Sequence, residues 1–110
     1  MAQTFQIIKN RSKFIHIREK GKFIRGKCFN LQLLEDKDLN QIICVGFIAT
    51  KKIGNAVMRN KAKRIMRELA KKILINGKIN SYYVLIAKPS LLETSFDKLI
   101  IELKGKINEK

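Results

Sequence analysis

The stretch that decides the fold runs from residue 42 to residue 88 and reads IICVGFIATKKIGNAVMRNKAKRIMRELAKKILINGKINSYYVLIAK. Its two ends, residues 42–50 and 81–88, are apolar and rich in β-branched and aromatic residues, which is typical of buried strands. The segment between them carries an apolar stripe at helical spacing, made of Ala62, Ile65, Met66, Leu69 and Ile73. The stretch therefore predicts a strand, a helix and a second strand, and if the strands are parallel the helix is their crossover.

The residues before this stretch predict a helix and a strand. Residues 12–20 have helical spacing, and we expect Ser12 to cap this helix and Gly21 to end it in the left-handed conformation. Residues 22–34 alternate between apolar and more polar side chains, as in a strand with one covered face. We expect this strand to form an antiparallel hairpin with residues 42–50.

The residues after it predict a last helix, in which Ser90 and Glu93 fit a capping box. The chain of 110 residues contains no repeat, linker or low-complexity segment. We therefore predict a single RNA-binding domain over residues 1–110, because such a length forms one core rather than two. Its expected fold is an α/β (α+β) two-layer sandwich with a mixed sheet of about four strands in the order αβββαβα.

The charge of the chain calls for a polyanionic partner. The net charge is +15 and the pI is about 10.2, and residues 51–72 alone hold nine Lys or Arg and one acid, Glu68. Nucleic acid is the first choice, because cations that neutralise phosphates release condensed counterions. A membrane surface is the rival, but no apolar run approaches the roughly 20 residues that span a bilayer. We expect a cytoplasmic protein without a signal peptide.

One face of the central helix carries much of this charge. On a helical wheel, the side opposite the apolar stripe holds Asn60, Lys63, Arg64, Arg67 and Lys71. A solvated helix face is the ordinary alternative, but such faces usually intersperse acids with the cations, and here only Glu68 does so. Asn55 has two interpretations, as the N-cap of the helix or as a group that holds a base edge or a ribose hydroxyl.

The sequence offers no catalytic or metal site. Cys28 and Cys44 lie in apolar segments without metal-ligand spacing, so we expect reduced structural thiols. His16 is the only histidine and has no evident partner for nucleophilic catalysis. We predict no catalytic residue and no metal ligand in the protein.

The string KKIGNAVMRNKAKRIMRE, residues 51–68, closely resembles the arginine-rich signature of the bacterial ribonuclease P protein family. The resemblance implies an α/β sandwich with a left-handed βαβ crossover, an exception to the usual hand. It also implies that an RNA subunit carries out the magnesium-dependent cleavage of precursor tRNA. The protein would bind that catalytic RNA and the 5′ leader, so its expected partners are the catalytic RNA and precursor tRNA, with no membrane and no obligate protein partner.

The resemblance assigns two sets of residues in this chain. The positions associated with contact to the catalytic RNA are Lys51, Lys52, Asn55, Arg59, Asn60, Lys61, Lys63, Arg64 and Arg67. The candidates for a leader-binding cleft between the first helix and the sheet are Phe14, Ile17, Arg18, Cys28, Asn30 and Gln32. Relatives tend to have aromatic or apolar groups where this chain has Arg18, Asn30 and Gln32, so hydrogen bonds and charge would replace part of the base stacking. Phe14 has core packing as its alternative.

Two other classes of protein are alternatives to this one. A ribosomal protein would share the size and the charge, but the string R-N-K-x-K-R argues against it. A free-standing nuclease would need clustered carboxylates to hold metals, and the nine acids are dispersed along the sequence.

Overall fold

A computed structural model of the protein describes residues 4–107, apart from the side chains of residues 4, 5 and 76. The predicted domain of 1–110 therefore includes three residues at each end that lie outside the described range. The described residues form one five-stranded mixed sheet and three α-helices. The α/β class is confirmed.

The central unit has the predicted strand, helix and strand. Strand β4 spans Ile42–Ile48, helix α2 spans Ala56–Lys72 and strand β5 spans Ser81–Ala87. The two strands pair in parallel, with Val45 opposite Tyr83. Helix α2 is thus their crossover, because parallel neighbours need a connection that returns along the sheet. The left hand of this crossover stays a prediction.

The remaining strands lie on both sides of this pair. Strand β1, Thr4–Ile7, extends the sheet beside β4 and was not predicted from the sequence. On the other side, strand β3 (Phe29–Glu35) pairs antiparallel with β5, and strand β2 (Lys22–Ile24) pairs antiparallel with β3. The order across the sheet is β1-β4-β5-β3-β2, so the observed chain order is βαβββαβα.

The predicted hairpin between residues 22–34 and 42–50 is wrong. Residues 22–34 form two strands, β2 and β3, which turn back on each other around Gly26. A side chain at Gly26 would collide with the carbonyl oxygen of Phe29, so the turn requires glycine. Strand β5 takes the place between β3 and β4, because its almost wholly buried side chains need a strand on each edge and a covered face on each side.

Helices cover both faces of the sheet. Helix α2 and the last helix, α3 (Phe96–Ile107), pack on one face, where Met66, Leu69 and Leu103 are fully buried. Helix α1 (Arg11–Lys20) packs on the other face through Ile17 and Phe14. The fold therefore has three layers rather than the two predicted, since a sheet that is apolar on both faces must be covered on both.

Three helix ends differ from the sequence prediction. Helix α1 is capped by Asn10, whose Oδ1 accepts hydrogen bonds from the Ser12 N–H at 2.8 Å and from the Ser12 hydroxyl at 2.7 Å. Gly21 ends α1 in an extended conformation with φ −87°, not a left-handed one. Ser90 lies in a short 3-10 helix and donates to the Lys27 carbonyl, while Ser95 precedes α3 and accepts from the Lys98 N–H.

Candidate nucleic-acid interface

The turn between β4 and α2 carries the first residues of the predicted RNA-binding set. Lys51 and Lys52 are exposed there. Gly54 follows with φ +141°, a conformation that residues with a Cβ rarely adopt. The Arg59 guanidinium donates from Nη1 to the Gly54 carbonyl at 2.9 Å. Arg59 is half-buried. Its hydrogen bond to Gly54 holds the turn that presents the two lysines.

Asn55 is the N-cap of helix α2. Its Oδ1 accepts a hydrogen bond from the Met58 N–H at 3.0 Å, and its backbone is extended. One of the two interpretations of Asn55 is therefore confirmed, since this is the bond that an N-cap makes. The carboxamide N–H groups of Asn55 take no part in this bond.

The outer face of α2 presents most of the predicted cations together. The side chains exposed there are those of Asn60, Lys61, Arg64, Arg67 and Lys71. Lys63 is half-buried and lies at the border of the face rather than opposite the core. Glu68 forms only a loose ion pair of 3.8 Å with Lys71, both more than half exposed, so the face keeps its positive charge.

Two apolar side chains lie beside these cations and were not singled out in the sequence. Val57 is 76% exposed and Met58 is 45% exposed, and both belong to the first turn of α2. The basic face also contacts the sheet. The Arg67 guanidinium lies 6.0 Å from the centroid of the ring of Phe47, a residue of β4. The basic surface therefore includes apolar and aromatic groups.

A second feature is the cleft between helix α1 and the sheet. It has a volume of about 740 Å³. Its lining consists of Lys9, Arg11, Phe14, Ile15, Arg18, Gln32, Ile48, Thr50 and Ile86. We call it the α1 cleft. Three of the six predicted cleft residues, Phe14, Arg18 and Gln32, are among them.

Phe14 takes part in both the core and the cleft. Its half-buried ring belongs to the apolar cluster under α1, and it lies so close to Gly46 that a Cβ there would be 2.4 Å from Cε1. The absence of a side chain at Gly46 thus makes room for the Phe14 ring on the face of the sheet that α1 covers. The rest of the ring lines the α1 cleft.

The structure does not bring the other three predicted cleft residues into the α1 cleft. Ile17 is fully buried beneath α1. Asn30 lines an adjoining hollow, and its Oδ1 accepts from the Gly26 N–H at 3.0 Å. Cys28 lies in the core on the α2 and α3 side, with its Sγ 3.2 Å from the Thr94 hydroxyl. Cys28 precedes β3, so the alternation of that strand does not place it.

The adjoining hollow connects the α1 cleft to the turn that carries Lys51 and Lys52, which we call the basic turn. It has a volume of about 550 Å³ and is lined by Asn30, Thr50, Lys51, Lys52, Ile86, Ala87, Lys88 and Pro89. It shares Thr50 and Ile86 with the α1 cleft. These residues follow or end the parallel strands β4 and β5, whose carboxyl ends meet at one edge of the sheet. That rule would have identified them in the sequence.

The thiol of Cys44 faces the same layer as Phe14. Burial raises the pKa of Cys44, with the positive charge of Lys13 acting against this and the negative charge of Asp36 adding to it. A thiol with a raised pKa is protonated at neutral pH and is a poor nucleophile. Within residues 4–107, no group of three or more His, Cys, Asp or Glu side chains is placed to hold a metal ion.

The helices within the described range offer no span for a membrane, because none is long and apolar enough to cross one.

Comparison with known proteins gives a consistent family. The family model for ribonuclease P matches residues 3–109. The ribonuclease P protein component of a Nitratiruptor species is 34% identical over 98 residues, covering 89% of this chain and 85% of its own. That of Bartonella quintana is 36% identical over 112 residues, covering 94% and 81%.

Solved structures have the same fold. The structure of the Staphylococcus aureus RNase P protein superposes with a TM-score of 0.79 at 25% identity, over 93% of this chain and 92% of the other. The RNase P protein from Thermotoga maritima gives a TM-score of 0.80 at 21% identity, over 94% and 96%.

Fold and surface together define a small basic α/β protein with one strongly cationic helix and an adjoining cleft. The chain belongs to the ribonuclease P protein family. It is a subunit of the tRNA-processing endoribonuclease, and its partner in that ribonucleoprotein is the RNA subunit. The ribosomal alternative is excluded.

Proposed function

We propose that the outer face of α2 binds the catalytic RNA and that the α1 cleft holds the 5′ leader of precursor tRNA, which promotes magnesium-dependent removal of the leader. The observation that carries this proposal is the continuity of the two surfaces. The α1 cleft shares Thr50 and Ile86 with the hollow that contains Lys51 and Lys52. RNA bound at α2 and a strand in the cleft would therefore meet at the carboxyl edge of the sheet.

The face of α2 suits a folded RNA with closely spaced phosphates. Arg64 and Arg67 are exposed one turn apart, and a guanidinium can hold a phosphate through two parallel hydrogen bonds. Like charges at this spacing destabilise an isolated helix by a few tenths of a kcal/mol per pair. A polyanion that neutralises them offsets this cost and accounts for their grouping.

The α1 cleft suits a single strand. Its mouth carries Lys9, Arg11 and Arg18, which can neutralise phosphates, and its interior offers the Phe14 ring and the side chains of Ile48 and Ile86. Cations along a groove combined with an aromatic surface are the usual means of binding unpaired nucleotides. In this proposal the 5′ leader is the unpaired segment that occupies the cleft.

Catalysis and metal binding are assigned to the RNA in this proposal. Phosphodiester hydrolysis with magnesium requires oxygen ligands around the metal, and the residues from 4 to 107 contain no cluster of carboxylates to supply them. We therefore expect magnesium to be held by the RNA and the substrate, and the protein alone to have no activity. A cytoplasmic location, predicted from the sequence, belongs to the same proposal.

A cleavage assay tests the proposal directly. Precursor tRNA is incubated at low magnesium with the catalytic RNA alone, with the RNA and this protein, and with the protein alone. We expect cleavage at the mature 5′ end to be stimulated only in the mixture. Equal rates with and without a folded protein would contradict the proposed role, and cleavage by the protein alone would show an active site in the protein.

A further inference from the structure

Glu102 on helix α3 holds the turn of residues 25–28, which lies between β2 and β3. One oxygen of its carboxylate, Oε2, accepts hydrogen bonds from the Lys27 N–H at 2.7 Å and from the Cys28 N–H at 3.1 Å. The same oxygen lies so close to Gly26 that an added Cβ would be 2.6 Å from it. The last helix of the chain is therefore bound directly to this turn.

The turn has no loose backbone group. Residues 26–28 present one N–H and one C=O each, and all six groups are hydrogen-bonded within the protein. Besides Glu102, the partners are the side chains of Asn30, Ser90 and Lys88 and the backbone N–H of Lys88. A segment whose backbone bonds are all made inside the protein has little freedom to open locally.

One of these bonds fixes a charged group on the wall of the adjoining hollow. Lys88 lines this hollow together with Lys51 and Lys52. Those two lysines are exposed, whereas Lys88 is half-buried and its ammonium donates to the Gly26 carbonyl. An ammonium has three N–H donors. The bond to Gly26 therefore leaves two of them for a ligand that enters the hollow.

We infer that Glu102 is a positioning residue for substrate binding. It holds the turn so that the Lys88 ammonium stays on the wall of the hollow, where that ammonium contacts a phosphate of the bound precursor tRNA. This inference rests on the proposed function, since it takes the substrate to pass through the hollow between the α1 cleft and the basic turn. The described residues that line the cleft and the hollow include none of α3, so this helix takes part in binding only through Glu102.

The physical basis of this role is preorganisation. A lysine side chain that is free in solution loses rotamer freedom when it binds a phosphate, whereas one already held by a carbonyl has lost much of that freedom during folding. Without the Glu102 carboxylate, the Lys27 and Cys28 N–H groups lose their acceptor, and the turn that carries the Gly26 carbonyl is released. Lys88 then keeps its charge but not its position. We therefore expect weaker binding rather than no binding.

The first test compares two substitutions of Glu102 in the assembled holoenzyme. Glu102→Ala should weaken the affinity for precursor tRNA by roughly threefold to tenfold, the range for one side chain that must be immobilised on binding. Glu102→Gln should stay within about twofold of the wild type, because its carbonyl oxygen can accept from the same two N–H groups. The matched control is Glu93→Ala, which removes an exposed carboxylate from the pocket that Glu93 and Glu102 both line.

We expect the Glu93 control to bind as the wild type does, and all three variants to keep their affinity for the catalytic RNA. If Glu102→Ala binds precursor tRNA as tightly as the wild type, the inference is wrong. An equal loss in Glu102→Ala and Glu102→Gln would also overturn it, since the charge rather than the hold on the turn would then matter.

The second test is a double-mutant cycle that asks whether Glu102 acts through Lys88. Lys88→Met removes the ammonium and keeps an unbranched side chain, and it leaves the bonds of Glu102 to the turn in place. It should weaken precursor binding at least as much as Glu102→Ala does, and lower the salt slope by about one. In the Lys88→Met background, Glu102→Ala should cause less than about a twofold further loss, because the group that it positions is gone.

The outcomes separate this role from the proposed function. If the two losses multiply, Glu102 does not act through Lys88 and the inference is overturned. Wild-type binding by Lys88→Met overturns it as well, even where Glu102→Ala does not fold. In both cases a wild-type holoenzyme that prefers precursor over leaderless tRNA leaves leader binding intact. If the wild-type holoenzyme binds the two RNAs equally, leader binding itself is wrong.

Discussion

Gly54 shows how a single residue sets the position of the basic turn. It has φ +141°, its carbonyl accepts from Arg59, and a Cβ added to it would meet the Met58 side chain. The glycine and the asparagine of the motif I-G-N-A, and the arginine that follows it, therefore each have a structural cause. The glycine permits the turn, the asparagine caps the helix, and the arginine one turn later fixes the carbonyl.

We expect Gly54→Ala to lower the free energy of unfolding by about 1–3 kcal/mol, because alanine is strained at this φ and its Cβ would lie 2.8 Å from the Met58 Sδ. Gly105→Ala is the matched control. Gly105 lies in α3 with nothing within 4 Å of an added Cβ, so alanine there should raise the free energy of unfolding by about 0.5–1 kcal/mol. Urea unfolding of both variants measures this. Equal effects of the two substitutions would show that the turn is not strained by a side chain.

Asn55 allows its two roles to be separated. Asn55→Ala should lower the free energy of unfolding by about 1 kcal/mol through loss of the cap, whereas Asn55→Asp keeps an acceptor for the Met58 N–H. The aspartate nevertheless places a negative charge next to Lys51 and Lys52. We expect Asn55→Asp to be as stable as the wild type and to bind the catalytic RNA more weakly, as measured by filter binding. If Asn55→Asp binds as well as the wild type, Asn55 acts only as a cap.

Individual caps were only partly predictable from the sequence. The cap at Asn55 was one of two interpretations of that residue, since asparagine is a preferred N-cap and directly precedes the helical pattern. At α1 the choice between Asn10 and Ser12 depends on the path of the preceding chain, and at α3 the 3-10 helix of residues 89–93 moves the start of the helix from Ser90 to the residue after Ser95. Cys28 was misplaced for a related reason, since it lies in the turn before β3 begins.

Helix α2 could be predicted almost completely at the scale of the element. Its apolar stripe is buried on the sheet and its cations are on the outside, because a strong helical period fixes the two faces at once. Strand neighbours could not be predicted in the same way. Alternation in residues 22–34 indicates a strand but carries no information on its partner, and β5 replaces β4 as the neighbour of β3.

We expect the double variant Arg64→Ala with Arg67→Ala to lower the slope of log affinity against log salt by about two, if each side chain contacts one phosphate. Affinity for the catalytic RNA is measured over a series of salt concentrations. The matched control is Lys98→Ala with Lys104→Ala, two exposed lysines on α3. An unchanged slope for the α2 variant, or an equal change for the α3 control, would remove the α2 face from the interface.

In the whole molecule, the two candidate binding surfaces lie on opposite sides of one sheet. Helix α2 with its basic face lies on one side, and α1 with its cleft lies on the other, and the carboxyl ends of β4 and β5 join them. The charge pattern predicted the basic face and the family resemblance implied the cleft, but neither predicted their connection, because a continuous groove depends on which strands are neighbours. The parallel pairing of β4 and β5 is what brings Thr50 and Ile86 together.

The most direct test of this division compares two affinities across two sets of variants. Affinity for the catalytic RNA and the preference of the holoenzyme for precursor over leaderless tRNA are measured for Phe14→Ala, for Arg18→Ala and for the α2 double variant. We predict that the first two variants lose leader preference and keep affinity for the RNA, while the α2 variant loses affinity for the RNA and, once saturated with it, keeps leader preference. Arg18 is exposed, so its variant avoids the core packing of Phe14. Equal loss of both quantities in all three variants would contradict two separate surfaces.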